Sequence, residues 1–282
     1  MDSKILVTAD STCDLSPALR ERYRIGILPL YVNMGGKMMK DGVDAMPDDV
    51  DAYYRANKRL PTTAAPSPAD YLEFFAPMVE QGYEIIHLNI SAQMSASHQN
   101  ALIAAAEFAG VYPVDSMSLS SGIGLLVLEA CDAVATGTPA QEIVALLEAK
   151  REKVEASFII DTLEYLWKGG RCSGVAALGA NLLKLKPCIE VKNGKMEVGR
   201  KHRGKLGDVI EEYVETRLKN GASLCEKRIF ITHSAIDTEI IERVKRKINQ
   251  CAHFDEILVT RAGCTISNHC GPGTLGILYI EE

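Results

Sequence analysis

Four stretches of the chain concentrate hydroxyl and carboxyl side chains: Asp10 to Asp14, Pro61 to Pro68, Ser91 to Ser97 and Ser116 to Ser121. Read as loops placed after strands, they would converge on the crevice at the carboxyl ends of an open α/β sheet. Hydroxyl donors beside helix starts, with their free N–H groups and positive dipole ends, suit an anion. The same residue types also cap helices, which is the plain role of any one such loop alone. Cationic side chains come later, where Lys184, Lys186, Lys192, Lys195, Arg200, Lys201, Arg203 and Lys205 share one stretch opposed only by Glu190 and Glu197. Such a stretch can meet a phosphate, an acidic partner or solvent. His269-Cys270-Gly271-Pro272-Gly273 reads first as a turn, with a histidine able to donate to an anion.

Several common catalytic signatures are missing. There is no G-x-x-x-x-G-K-[ST] phosphate loop, no G-x-S-x-G elbow and no H-E-x-x-H helix. The eight cysteines include no C-x-x-C pair, and the cluster Cys264, His269, Cys270 lacks the second ligand pair a zinc site needs. Neither a metal nor a cofactor is expected.

The elements that must carry these loops are legible in the pattern. Lys4 to Ala9, Ile27 to Val32, Tyr83 to Ile90 and Val111 to Asp115 read as strands, with helices near 48–57, 68–81 and 97–109 between them. Ser16-Pro17, Ser67-Pro68 with Asp70, and Thr138-Pro139 with Gln141 read as helix starts with hydroxyl caps. Two consecutive helices, Gly122 to Ala135 and Ala140 to Val154, break the alternation and place a domain change near 155. Beyond it come a strand at Ser157 to Asp161, a short helix through Leu166 and the turn Lys168 to Arg171. A helix over 174–185 follows, then a hairpin around Asn193-Gly194, helices over 206–220 and 237–249, and strands at Arg228 to Thr232, Glu256 to Thr260 and Gly276 to Ile280.

With 282 residues, 47% hydrophobic, and a net charge of −6, the composition is that of a globular protein of about two domains. The acidic balance argues against generic nucleic-acid binding. No apolar run reaches the length of a membrane span, and the polar N-terminus is unlike a signal peptide, so a cytoplasmic protein is expected.

The motifs, taken in order, resemble the DegV family, whose members include fatty-acid-binding subunits of bacterial fatty acid kinase. The resemblance is collinear: Asp10-Ser11-Thr12-Cys13-Asp14-Leu15, Asp41-Gly42, the Pro61 to Pro66 loop, Ser91 to Ala101, Val114-Asp115-Ser116, Leu163 to Arg171, Lys186-Pro187, Lys201-His202-Arg203-Gly204 and His269 to Gly273. It implies an α/β protein of two domains. The first, 1–155, would be a three-layer α/β/α unit with a parallel sheet, and the second, 156–282, a two-layer unit with a mixed sheet. It further implies a long-chain fatty acid such as palmitate or oleate in an interior tunnel, its carboxylate held by Thr63 and Ser95. Ser97, Arg171, His269, Lys201 and Arg203 would lie near the anion or a partner. A separate ATP-binding fatty acid kinase subunit would phosphorylate the carboxylate, with this chain as a carrier that makes at most transient membrane contact. Where the family usually has Thr-Ser-Gln-Pro this chain has Thr63-Ala64-Ala65-Pro66, and for Ser-Gly-Thr it has Ser95-Ala96-Ser97; Ala96 in place of glycine narrows the backbone choices at the head group. Two alternatives stand beside this reading: a small-molecule phosphotransferase or hydrolase using Asp10, Asp115 or His269 as acid or base, and a scaffold whose basic stretch recognises an acidic partner.

Overall fold

The computed structural model describes residues 4–172, 185–219 and 223–282. Its first-half strands are β1 (Lys4–Asp10), β2 (Gly26–Leu28), β3 (Tyr31–Met34), β4 (Lys37–Lys40), β5 (Thr62–Ala64), β6 (Tyr83–Asn89) and β7 (Val111–Asp115). Strands β2, β1, β6 and β7 pair in that order, all parallel. Strands β4, β3 and β5 form a separate antiparallel sheet that the sequence pattern did not announce. The expected single strand from Ile27 to Val32 is therefore two strands in two sheets. Pro29 falls between them, where it has no N–H to give to a continuous ladder.

The helices of this half are α1 (Pro17–Tyr23), α2 (Pro47–Asn57), α3 (Pro68–Glu80), α4 (Ser97–Ala105), α5 (Ser121–Ala135) and α6 (Ala140–Lys150). Two of the expected caps are present. Ser16 Oγ accepts from Leu19 N–H, and Ser67 and Asp70 form a reciprocal capping box. The third is not: Pro139 takes the cap position of α6 without a side-chain bond, while Gln141 donates to the Tyr112 hydroxyl. Helix α4 stops at Ala105, short of the expected 109, and α6 gives way at Lys150 to a 3-10 turn and then a strand that begins at Val154.

The second half comprises β8 (Val154–Ile159), α7 (Glu164–Gly169), β9 (Lys186–Lys192), β10 (Lys195–His202), α8 (Leu206–Lys219), β11 (Leu224–Ser234), α9 (Thr238–Cys251), β12 (Glu256–Arg261), α10 (Cys264–Cys270) and β13 (Thr274–Glu281). The six strands pair as β10-β9-β8-β13-β11-β12, and only β11 and β12 run parallel, so the sheet is mixed. Residues 174–184 of the expected 174–185 helix lie outside the described residues. The hairpin turn is as expected, with Asn193 and Gly194 both at positive φ, 49° and 76°.

Alternate residues of β6 face opposite ways. Ile85 packs with Tyr71, Phe75 and Ala101 from α3 and α4, whereas Ile86 and Leu88 pack with the buried side chains of α5 and α6. Across α5 lies the other sheet, presenting Ala156, Phe158, Phe230 and Leu278 to the same core. Its far face is covered by Val209, Tyr213, Val244 and Ile248 of α8 and α9. Helix α5 is thus clasped between two sheets, and its largely apolar run from Ser121 to Cys131 is buried all round, with the buried Glu129 paired to Lys150. The three-layer and two-layer arrangement follows, with one core continuous through α5.

Candidate functional site

The short helix α10 holds the site together. Its N-cap residue, Gly263, has no side chain to satisfy the free N–H groups, so the rest of the fold supplies acceptors. Asp14 Oδ1 accepts from Gly263 N–H at 2.8 Å, and Asp41 accepts from Cys264 and Thr265 N–H at 2.8 and 3.0 Å. Both carboxylates are buried and come from the first half of the chain. Helix α2 and strand β3 pack on the same helix through Val50, Val32 and Cys264. Asn268 Nδ2 donates to Pro61 O at 3.1 Å, tying α10 to the loop that leads into β5.

Those ties bring His269 to Thr63. Thr63 is carried on β5, opposite Val32 of β3, and its Oγ1 lies 2.9 Å from His269 Nε2. Burial, with a smaller effect of nearby Arg171, lowers the His269 pKa to about 4, so the imidazole is neutral at physiological pH. Its Nδ1 has no hydrogen-bond partner among the described residues. Gly169, at the end of α7, makes this packing possible, since a Cβ there would sit 2.4 Å from His269 Nδ1. Arg171 follows, exposed, with its guanidinium donating to Gly169 O at 2.8 Å.

Ser95 arrives from the other side, in the loop between β6 and α4. Its Oγ is 2.9 Å from Ser97 Oγ and accepts from Ser97 N–H at 3.2 Å. Ala96 has φ −77° and ψ 0°, an ordinary conformation for any L residue, so alanine in place of glycine there strains nothing. The loop is braced by the β9–β10 hairpin: Ser91 Oγ donates to Gly194 O at 2.7 Å, and a Cβ on Gly194 would come within 2.5 Å of that hydroxyl.

Thr63, Ser95, Arg171 and His269 line one cavity of about 210 Å³. Its remaining wall is largely apolar, from Leu30, Ile90, Met94, Leu119, Met196 and Ile266. A smaller cavity of about 20 Å³ shares Leu119, Ile266 and Cys270 with it and reaches Phe158 and Leu278 between α5 and the mixed sheet. Polar groups at one part and hydrocarbon over the rest is the composition of an amphiphile site. Thr265, which carries no motif of its own, also lines the cavity; it is buried and its hydroxyl has no partner among the described residues. Its signal was weak because α10 reads from sequence as an irregular approach to a Gly-Pro-Gly turn.

The other sequence-selected residues lie elsewhere. Ser97 is buried behind Ser95, and Lys201 and Arg203 are exposed at the end of β10 and just beyond it, outside the cavity wall. The basic stretch has more opposing acids than its own sequence contains: Lys186 pairs with Asp161 and Arg200 with Glu212, in addition to Lys192 with Glu190. Lys184 is outside the described residues. Asp10 and Asp115 are engaged by backbone: Asp10 accepts from Thr12 and Ile90 N–H, Asp115 from Ala92 and Met117 N–H. Among the described residues no group of three or more His, Cys, Asp or Glu side chains is arranged to hold a metal ion, and no helix is long and apolar enough to cross a membrane.

Comparison with known proteins decides the family. The DegV family model, described as an uncharacterised protein family, matches residues 4–282. The chain belongs to the DegV family. A DegV domain-containing protein of Deinococcus radiodurans is 31% identical over 277 residues, covering 97% of each chain. A Thermotoga maritima relative named fatty acid-binding protein is 28% identical over 281 residues, covering 97% of this chain and 96% of that one. Among solved DegV structures, one from Thermus thermophilus described as fatty acid binding superposes with a TM-score of 0.90 at 30% identity, covering 99% of this chain and all of that one.

Proposed function

We propose that this DegV chain binds one long-chain fatty acid, with the carboxylate held by Thr63 and Ser95 and the acyl chain among the apolar side chains of the adjoining cavity. The observation that carries the reading is the convergence of Thr63, Ser95, Arg171 and His269 at one cavity whose remaining wall is mostly hydrocarbon. The fatty-acid-binding relatives named above support it. In this reading residues 1–155 and 156–282 act as two lobes. The first brings the hydroxyls, and the second brings His269 and Arg171.

The energetics are favourable in scale. Burying a dozen methylenes at ~0.8 kcal/mol each yields about 10 kcal/mol, against the ~8 kcal/mol of a micromolar complex. The tail therefore supplies affinity, and the hydroxyls set orientation. An anion in such a place needs several donors, and Thr63, Ser95 and Arg171 offer them.

The finer reading is that a separate ATP-binding kinase subunit phosphorylates the presented carboxylate and that this chain is a carrier without a catalytic site of its own. The absence of a phosphate-loop motif and the backbone engagement of Asp10 and Asp115 favour it over the phosphotransferase alternative.

Native mass spectrometry of the purified protein tests the binding directly. A fatty acid is expected to co-purify, and delipidated protein is expected to take up palmitate or oleate; failure of both overturns the proposal. Ser95→Ala is expected to weaken palmitate binding by roughly fivefold or more while leaving the melting temperature within a few degrees.

A further inference from the structure

The hydroxyls on the cavity wall belong, among the described residues, to Thr63, Ser95 and Thr265, and they are not equally engaged. Thr63 Oγ1 lies 2.9 Å from His269 Nε2, and Ser95 Oγ lies 2.9 Å from Ser97 Oγ. Arg171, on the same wall, gives one guanidinium N–H to Gly169 O. Thr265 differs. The residue is only 4% exposed, yet its Oγ1 bonds no group among the described residues. A buried hydroxyl in that condition has lost its hydration and gained no bond in return.

Neither a local bond nor slack in the backbone accounts for it. A serine or threonine in a helix ordinarily turns its hydroxyl back to a carbonyl of the preceding turn. Ser267 on the same helix does so, donating to Ala262 O at 3.1 Å. Thr265 makes no such bond, although its own N–H is fixed by Asp41 Oδ2 at 3.0 Å. A β-branched side chain on a fixed backbone has few rotamers to choose from, so the hydroxyl is held in place without a partner among the described residues. Its neighbourhood is informative. Residues four apart share a face of a helix, with Cβ atoms about 5–6 Å apart. Thr265 therefore stands one turn before His269, the residue that meets Thr63, and both line the cavity.

We propose that the Thr265 hydroxyl is a further hydrogen-bond donor to the fatty-acid carboxylate, beside those of Thr63 and Ser95. The proposal rests on the binding reading above. A carboxylate offers about four lone-pair sites, more than Thr63 and Ser95 fill between them, and hydrogen bonds to a charged acceptor are the strong kind. Because the fold already bears the desolvation of Thr265 and already fixes its backbone, the bond to the ligand forms with little further ordering. An acyl chain in the same place would leave the hydroxyl as unsatisfied as before.

The test is titration of delipidated parent, Thr265→Val and Thr265→Ser with ¹³C-carboxyl palmitate, read by affinity and by the resonance of the bound carboxyl carbon, with folding checked by circular dichroism. Thr265→Val keeps the shape and removes the donor. It should weaken binding by roughly tenfold, the scale of a hydrogen bond to a charged group, and shift the carboxyl resonance. Thr265→Ser, which keeps the hydroxyl, should retain both the affinity and the resonance of the parent. An unmoved resonance in folded Thr265→Val overturns the assignment whether or not affinity falls. Tighter binding overturns it too, by placing the hydroxyl against the acyl chain. Should Thr265→Val not fold, Thr265→Ala against Thr265→Ser decides on the same two readouts. A parent protein that takes up no palmitate overturns the binding reading itself, which separates the two failures.

Discussion

Thr265 is the residue at which packing and chemistry disagree most clearly. Its amide is bound by Asp41, its side chain lines the cavity, and its hydroxyl is buried without a partner among the described residues. An unsatisfied buried hydroxyl costs about 1–3 kcal/mol, whereas a methyl of the same size costs nothing there. Thr265→Val is therefore expected to leave the melting temperature of the ligand-free protein unchanged or to raise it by roughly 2–4 °C, read by scanning calorimetry. A fall of several degrees would mean that the hydroxyl has a partner it relies on. Residues of this kind were hidden in the sequence, while Thr63, Ser95, Arg171 and His269 were picked out by the family resemblance, and the structure brings the four to one cavity wall. Thr265 carries no motif of its own. Its importance depends on which way a seven-residue helix faces, and pattern reading did not find that helix.

Helix α10 shows why elements of this size escape sequence reading. Isolated helices shorter than roughly 12 residues are marginal in water, and α10 has seven residues and no local side-chain cap. Its stabilising acceptors, Asp14 and Asp41, stand more than two hundred positions earlier in the chain. By contrast, the caps at Ser16 and Ser67 and the turn at Asn193-Gly194 are local, and they were legible for that reason. The same argument explains the missed antiparallel sheet, because β3, β4 and β5 are three or four residues long and define one another only once paired. If α10 depends on remote caps, Asp41→Ala removes two carboxylate-to-N–H bonds at once. The expected loss is about 2–4 kcal/mol in urea unfolding, together with weaker palmitate binding as His269 leaves Thr63. A loss under 1 kcal/mol would show that packing against α2 and β3 holds the helix without its caps.

At the scale of the whole molecule, Asp14 marks the place where the halves meet. Besides capping α10, it accepts from Ser120, just before α5, at 2.6 Å, and its backbone oxygen accepts from Thr260 at the end of β12. Burial, opposed in part by the Ser120 and Gly263 bonds and reinforced by the Asp41 charge, raises its pKa to about 8. Folded protein thus keeps this proton until about pH 8, whereas an unfolded aspartate releases it near 4. Because the folded state binds more protons across that interval, stability is fully present below the unfolded pKa and is lost as pH rises through the folded one. Other groups act in different windows. Burial lowers His87 to about 3 and His269 to about 4, so they withdraw stability only as pH falls below about 6.5. Burial raises Asp10 to about 6, and its share is mostly spent by neutral pH. Between pH 6.5 and 8 the slope belongs chiefly to Asp14, at up to about 1.4 kcal/mol per pH unit. The melting temperature of the ligand-free protein should therefore fall by several degrees from pH 6.5 to 8 at constant ionic strength. Asp14→Asn, which mimics the neutral acid, should flatten that limb. Parallel curves for parent and variant would place the proton elsewhere and leave the junction without its titrating group.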